Sequence, residues 1–400
     1  MAEYDDLIAA GREQLRCWHI EDALASFDIA LQLCPEAAAA HYLRGEALFL
    51  QRRVDEALRC HDAARRCGIG RDIAARGAAM SGMIPGDFAW MCHMLRGDFE
   101  SAWRLADRDL ALRRGSGIAV DSWPRHMRPV WDGTSVDGRH VLVRCYHGLG
   151  DTIHFIRYVP LLVQRAASVC VEVQPQLLDL VSDMPGIDHL CGLPDGWEHE
   201  PRELGCDMQI DVTELPHAFR TTIDTIPATV PYLWPKPAEI AAARRRLVPL
   251  ADCRRVGLCW AAGEWKPERS LSPDELAPLM AVPGVAFVSL QRGAAYESWR
   301  VAEKGPSFAA ELTSDSIAET AATIATLDLV ITVDTMVAHL AGALGVPVWV
   351  MLHAAADWRW LLDRNDSPWY PTMRLFRQPA PGDWGRVVEQ VGAALASSTD

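Results

Sequence analysis

The sequence predicts an α plus α/β chain, in which helical repeats lead into a pair of Rossmann-like lobes. Three observations predict it. Small residues recur 34 positions apart near the start, where Gly11, Ala23 and Ala30 return as Gly45, Ala57 and Ala64. Short apolar runs lead into a glycine-rich turn at 146–151 and a polar loop at 261–270. Finally, DLVITVDTMVAHLAGALGVPVWVM (328–351) reads as strand, tight turn, helix and strand.

The first element spans residues 1–114. A 34-residue period with small residues at helix crossings is the tetratricopeptide signature. A helix pair cannot bury its apolar face alone, so such pairs stack. Phe27 fills the large position of the first repeat, His61 stands there in the second, and Ile69 replaces Pro35. Gly97-Asp98-Phe99-Glu100-Ser101-Ala102-Trp103 opens a third, degenerate unit. The repeats suit a groove for a protein or peptide. Residues 115–138, with Trp123, Pro124, Pro129 and Trp131, read as a linker.

The first lobe is expected over 139–237. His140–Cys145 is a strand, Tyr146–Asp151 a glycine-rich turn, Thr152–Arg165 a helix and Val169–Val173 a strand. Gly148 and Gly150 permit tight backbone at a strand's carboxyl end, where open α/β sheets bind ligands. On these residues alone Asp151 reads either as a helix N-cap or as a functional carboxylate, and His147 and His154 flank the turn and are expected to face a ligand or solvent. Thr225–Pro237 is proline-rich and ends the lobe.

The second lobe, with a closing C-terminal helix, is expected over 238–400. Ala238–Leu247 is a basic helix. Val256–Trp260 is a strand, and Lys266 and Arg269 lie in the loop after it, placed for anionic oxygens, with Ser270 at its end. Pro273–Met280 is helical, and Val285–Leu290 is a strand ending at Gln291. Ser316–Glu319 is a capping box. In 328–351, Asp334 is expected to cap a helix opened by Thr335, with Val337, Leu340, Ala341 and Leu344 on the sheet side. Gly345 and Pro347 stop it. Thr335 and His339 share the opposite face. A helix end with unsatisfied N–H groups is an anion site, so Asp334–His339, including Met336, are candidates to hold a diphosphate. Trp349–Phe376 is unusually aromatic, and Gly385–Ala396 is the last helix.

Bulk properties narrow the function. A net charge of −14 disfavours nucleic acid or an anionic membrane as the main partner. No apolar run approaches membrane-span length, and the acidic start is unlike a signal peptide. Eleven scattered cysteines without a CxxC pair suit reduced thiols in a cytoplasm and argue against structural zinc. Asp107-Arg108-Asp109 lies among the repeats and is a poor metal site. With only three lysines against 36 arginines, Lys266 draws notice.

Several segments together carry a resemblance: HGLGDTIHFIRYVPLL (147–162), DTIPATVPYL (224–233), VGLCWAAGEWKPERSLSPDELAPLM (256–280), DLVITVDTMVAHLAGALGVPVWVML (328–352) and DWRWLLDRNDSPWYPTMRLFRQ (357–378). The chain resembles the bacterial tetratricopeptide-fused glycosyltransferases, and its catalytic half is similar to the heptosyltransferase family, glycosyltransferase family 9. The resemblance implies a GT-B architecture and inverting, metal-independent transfer of a sugar from a nucleotide-diphosphate sugar, with no cofactor. It implies Asp151 as general base and Lys266 or Arg269 as the cation on the leaving diphosphate. It further implies that Ser270, Gln291, Asp334, Thr335, Met336 and His339 lie around the nucleotide diphosphate. The repeats suggest a protein acceptor, with lipid-linked and polysaccharide acceptors as the other classes. His147 and His154 stand where relatives usually carry glutamine. Two other readings are a nucleotide-sugar epimerase or hydrolase on the same scaffold, and a non-catalytic interaction protein with degenerate lobes.

Overall fold

The computed structural model describes residues 2–68, 87–116, 130–194, 204–263, 266–301, 308–312 and 315–398. Most of the expected 115–138 linker, with Trp123, Pro124 and Pro129, lies outside them, as does Ile69. The chain forms two compact units: Met1–Ile118 with Asp357–Leu362, and Ala119–Ala356 with Asp363–Asp400.

The described part of the first unit is helical, in the pairs Ala2–Arg16 and Ile20–Leu33, Ala38–Leu50 and Val54–Arg66, and Asp87–Arg96 and Phe99–Ser116. The repeating glycines have a steric cause. A Cβ on Gly11 would lie 2.3 Å from the Phe27 ring, and one on Gly45 2.6 Å from Phe88. Phe88, from the third pair, thus fills the space at Gly45. This explains why the second repeat carries His61 in place of a large apolar residue: His61 meets Phe88 edge-on at 5.5 Å. Asp98 caps the last helix by accepting from Ser101 N at 3.2 Å. The inserted segment packs its Trp358 ring 5.4 Å from Trp90 and 6.3 Å from Phe99, and Leu362 N donates to Leu95 O at 3.1 Å.

The second unit carries two parallel sheets. Strands β1 (His140–Arg144), β2 (Ser168–Val173), β3 (His189–Gly192) and β4 (Met208–Asp211) run in the order β3-β2-β1-β4. Strands β5 (Arg254–Cys259), β6 (Val285–Ser289), β7 (Ala310–Glu311), β8 (Leu329–Val333), β9 (Val348–Leu352) and β10 (Met373–Arg377) run in the order β10-β9-β8-β5-β6-β7. This is the predicted α plus α/β order, with two Rossmann-like lobes of GT-B type. Every residue of β8 is buried, as a strand covered on both faces requires. Both sheets reverse direction beside their first strand, between β1 and β4 and between β5 and β8. Such switch points open a crevice at the carboxyl ends.

Two local expectations change. The helix expected over 152–165 starts earlier, as Leu149–Phe155, and gives way to a 3₁₀ turn and a short helix, Val159–Val163. Pro160 explains the break, because it has no N–H to continue the ladder. The proline-rich 225–237 segment straps the lobes together: Tyr232 N donates to Ala343 O at 3.0 Å, and its hydroxyl donates to Ile153 O at 2.9 Å. Among the described residues no helix is long and apolar enough to cross a membrane.

Candidate functional site

In the first lobe, the turn after β1 is held from below. Gln174, just past β2, donates from Nε2 to His147 O at 2.7 Å and accepts from Thr152 Oγ1 at 2.9 Å. Gly148 is the N-cap of the Leu149–Phe155 helix, and the Asp151 carboxylate accepts from Gly148 N at 3.2 Å. Asp151 is therefore not the expected N-cap: the helix begins earlier, at Leu149, which makes Asp151 its third residue, with the carboxylate folded back onto the N-cap backbone. His147 reaches across the β1–β4 switch point, with Nε2 3.2 Å from Asp211 Oδ1. Burial opposes a charged imidazole there, but the bond to Asp211 and its charge outweigh it and raise the His147 pKa above the ordinary histidine value.

In the second lobe, Thr335 is the N-cap of the Met336–Ala343 helix. Its backbone is extended and its hydroxyl accepts from Val337 N at 3.2 Å. The expected cap, Asp334, is displaced by one residue because its carboxylate faces Arg269 across the β5–β8 switch point, 3.5 Å from Nη1. Among the described residues Arg269 Nε is buried without a hydrogen-bond partner, a donor that an oxyanion would satisfy. Lys266 is exposed on the same loop. Ser270 Oγ is committed to the loop, accepting from Ala262 N at 3.0 Å. Gln291 is likewise turned inward, its Oε1 accepting from Trp260 N at 3.0 Å and Ala261 N at 2.8 Å. The helix stops as expected, with Gly345 at φ 71° and Val346 N returning to Ala341 O at 3.1 Å.

The two lobes meet at these ends. A Cβ on Gly150 would lie 3.1 Å from His339 Cδ2, 3.4 Å from Met336 Cα and 3.7 Å from Met336 N. The glycine-rich turn thus approaches the first turn of the second-lobe helix as closely as a residue without a side chain allows. Beneath the contact lies a cluster that the sequence did not reveal. Tyr370 OH is 2.9 Å from His154 Nδ1 and 3.0 Å from His339 Nδ1. Arg157 is buried, donates to His154 O at 2.7 Å and Tyr232 OH at 2.9 Å, and lies 4.3 Å from the centre of the Tyr370 ring. An arginine inside the apolar run IHFIRYV was the one local signal for it. His154, expected to face a ligand or solvent, is instead fully buried.

Among the described residues no group of three or more His, Cys, Asp or Glu side chains is placed to hold a metal ion. None of the eleven cysteines, all of them described residues, forms a disulfide. Cys145 and Cys259 are buried, and burial pushes the Cys259 thiol up to about 11, as suits a small core residue.

No family model matches the chain. Protein FlbA of Caulobacter vibrioides is 26% identical over 404 residues, covering 94% of this chain; the chain spans 65% of the length of that relative. Among solved structures, a glycosyl transferase family 9 protein from Veillonella parvula is similar over 66% of this chain and 98% of its own, at 14% identity and a TM-score of 0.47. The E. coli ADP-heptose lps heptosyltransferase II covers 65% of this chain with 99% of its own, at 16% identity and a TM-score of 0.45. A mutant O-GlcNAc transferase from Thermobaculum terrenum covers 100% of this chain with 91% of its own, at 13% identity and a TM-score of 0.34.

Proposed function

We propose that the chain transfers a sugar from a nucleotide-diphosphate sugar to an acceptor hydroxyl, with inversion and without a catalytic metal. The observation that carries this reading is the meeting of Gly150 with Met336 and His339. It brings the carboxyl-end turns of two parallel sheets to one place, with a helix N-terminus on one side and Asp151 on the other.

The chemistry divides accordingly. The leaving diphosphate carries negative charge, which the first turn of the Met336–Ala343 helix, His339 and Arg269 suit. Asp334 partly offsets Arg269, so Lys266 is the added cation on that side. Asp151 is the base on the acceptor hydroxyl. It accepts from Gly148 N through Oδ2, and a carboxylate has lone pairs for a second partner. A positioned base typically gives about 10²–10⁴-fold, and preorganised donors at the diphosphate give as much or more. With their side chains engaged by the protein, Ser270 and Gln291 serve by shaping the loop after β5. The acceptor side includes His147 with Asp211, and the helical repeats are the element suited to recruit a protein acceptor.

The test is calorimetry with a panel of nucleoside diphosphates and nucleotide sugars, on wild type beside His339→Ala. Selective binding of one diphosphate, weakened in the variant, is expected. Absence of binding across the panel would overturn the reading and favour an interaction protein with a degenerate scaffold.

A further inference from the structure

The buried tyrosine between the lobes has a hydrogen-bonding problem whose solution bears on the donor site. Tyr370 OH carries one hydrogen and has at least three polar neighbours: His154 Nδ1 at 2.9 Å, His339 Nδ1 at 3.0 Å, and the Tyr232 hydroxyl. Tyr232 is itself tied down, donating to Ile153 O at 2.9 Å and accepting from Arg157 Nη2 at 2.9 Å. His154 and Ile153 belong to the first-lobe helix Leu149–Phe155, and His339 to the second-lobe helix Met336–Ala343. Tyr370 is fully buried, and burial holds its pKa well above the usual tyrosine value, so the hydroxyl keeps its proton and remains a donor.

The arrangement of His339 decides where that proton goes. Its Nδ1 faces Tyr370, and Cδ2, the carbon next to Nε2, faces Gly150. The Nε2 edge is therefore the edge turned toward the glycine-rich turn. A neutral imidazole carries one N–H. It can donate from Nε2 to a diphosphate oxygen only if Nδ1 accepts, and Tyr370 is the donor at that position. Tyr370 then has no hydrogen left for His154, so His154 Nδ1 must be protonated and donate to the tyrosine oxygen.

We propose that Tyr370 is a positioning residue that sets His154 and His339 in opposite tautomers in the donor-loaded protein, giving the chain His154 Nδ1–H to Tyr370 O–H to His339 Nδ1, with His339 Nε2–H on the diphosphate. This rests on the glycosyltransferase reading for the identity of the anion. Its consequence is that donor binding in one lobe orders a hydrogen bond to the helix of the other lobe, which carries Asp151. Occupancy of the donor site and placement of the base are thereby coupled through one hydroxyl.

The experiment is nitrogen-15 NMR of histidine-labelled full-length protein, with and without the nucleoside diphosphate that binds best. His154→Gln and His339→Ala assign the two signals. Calorimetry on Tyr370→Phe, which removes the hydroxyl and keeps the ring, accompanies it. Expected are a neutral Nε2–H signal for His339 and the rarer Nδ1–H tautomer for His154 in the loaded protein. In Tyr370→Phe the His154 signal should revert and diphosphate affinity should fall about three- to tenfold, the loss of one buried hydrogen bond.

Wild-type spectra decide the tautomers even if Tyr370→Phe does not fold. The same tautomer for both rings, or a doubly protonated His339, would overturn the proposal. So would unchanged affinity in Tyr370→Phe beside lost binding in His339→Ala, and this result would leave the glycosyltransferase reading standing. Failure of wild type to bind any diphosphate would remove the glycosyltransferase reading and this proposal with it.

Discussion

At the scale of single residues, the first-lobe turn separates two carboxylates by role. Asp211 is 2% exposed and engages His147, whereas Asp151 sits on the helix that approaches the second lobe. Asp151→Asn is expected to lower transfer by at least about 100-fold while leaving diphosphate binding intact; normal turnover in this variant would exclude it as the base. His147 gives a pH signature. Its folded-state pKa is raised above the ordinary value, so the pair with Asp211 stabilises the fold fully below the unfolded histidine pKa, and that contribution is lost as pH rises through the folded value. The melting-temperature gap between wild type and Asp211→Asn should therefore narrow from mildly acidic pH toward the alkaline side. A gap independent of pH would show that the pair contributes no proton-linked stability.

At the scale of elements, the helix Met336–Ala343 is defined by what its glycine admits. A Cβ on Gly342 would lie 2.4 Å from Tyr370 Cδ1, with two further ring atoms at 2.7 Å. Gly342→Ala should cost about 1–3 kcal/mol through overpacking, because the ring is fully buried and cannot swing away. Gly148→Ala should be much milder, since its new Cβ would meet only the Asp151 carboxylate oxygen, at 3.1 Å. Denaturant melts of the two variants test the order. This helix also shows what was legible beforehand. Its apolar face, its Schellman stop and its place after a buried strand follow from local spacing. The identity of its cap did not, because Asp334 and Thr335 both cap helices well and the choice fell to Arg269, a residue distant in sequence. The Ser316 cap was legible, accepting from Glu319 N at 3.3 Å, but the reciprocal half of the box was not, because the Glu319 carboxylate bonds Arg246 instead. Tyr370 was hidden for the same reason: its partners His154 and His339 lie 216 and 31 residues away, beyond any periodic pattern. The repeats were legible as small residues 34 apart, Gly45 among them, but the ring that fills the space at Gly45 was not, because Phe88 arrives from the next pair.

At the scale of the whole molecule, the chain order of helical repeats and two parallel sheets follows from patterns that each element carries in its own sequence. The exception is the short stretch Asp357–Leu362, which belongs to the helical unit although it lies far along the chain, between β9 and β10. Its Trp358 and Trp360 are 7% and 0% exposed. A truncated chain beginning at residue 119 would keep this stretch but lose the helices that Trp358 packs against, so it should show lower soluble yield and a lower melting temperature than full-length protein. Equal behaviour of the two would mean that the stretch is adequately covered without those helices. The same connectivity bears on synthesis. Domains generally fold in the order they leave the ribosome, and the repeats leave first. Their last piece emerges only after most of both lobes has been made, so the helical unit must wait, incomplete, for nearly the whole chain. A stalled chain ending before residue 357 should therefore hold repeats that are readily cut by protease, which release of the finished chain would protect.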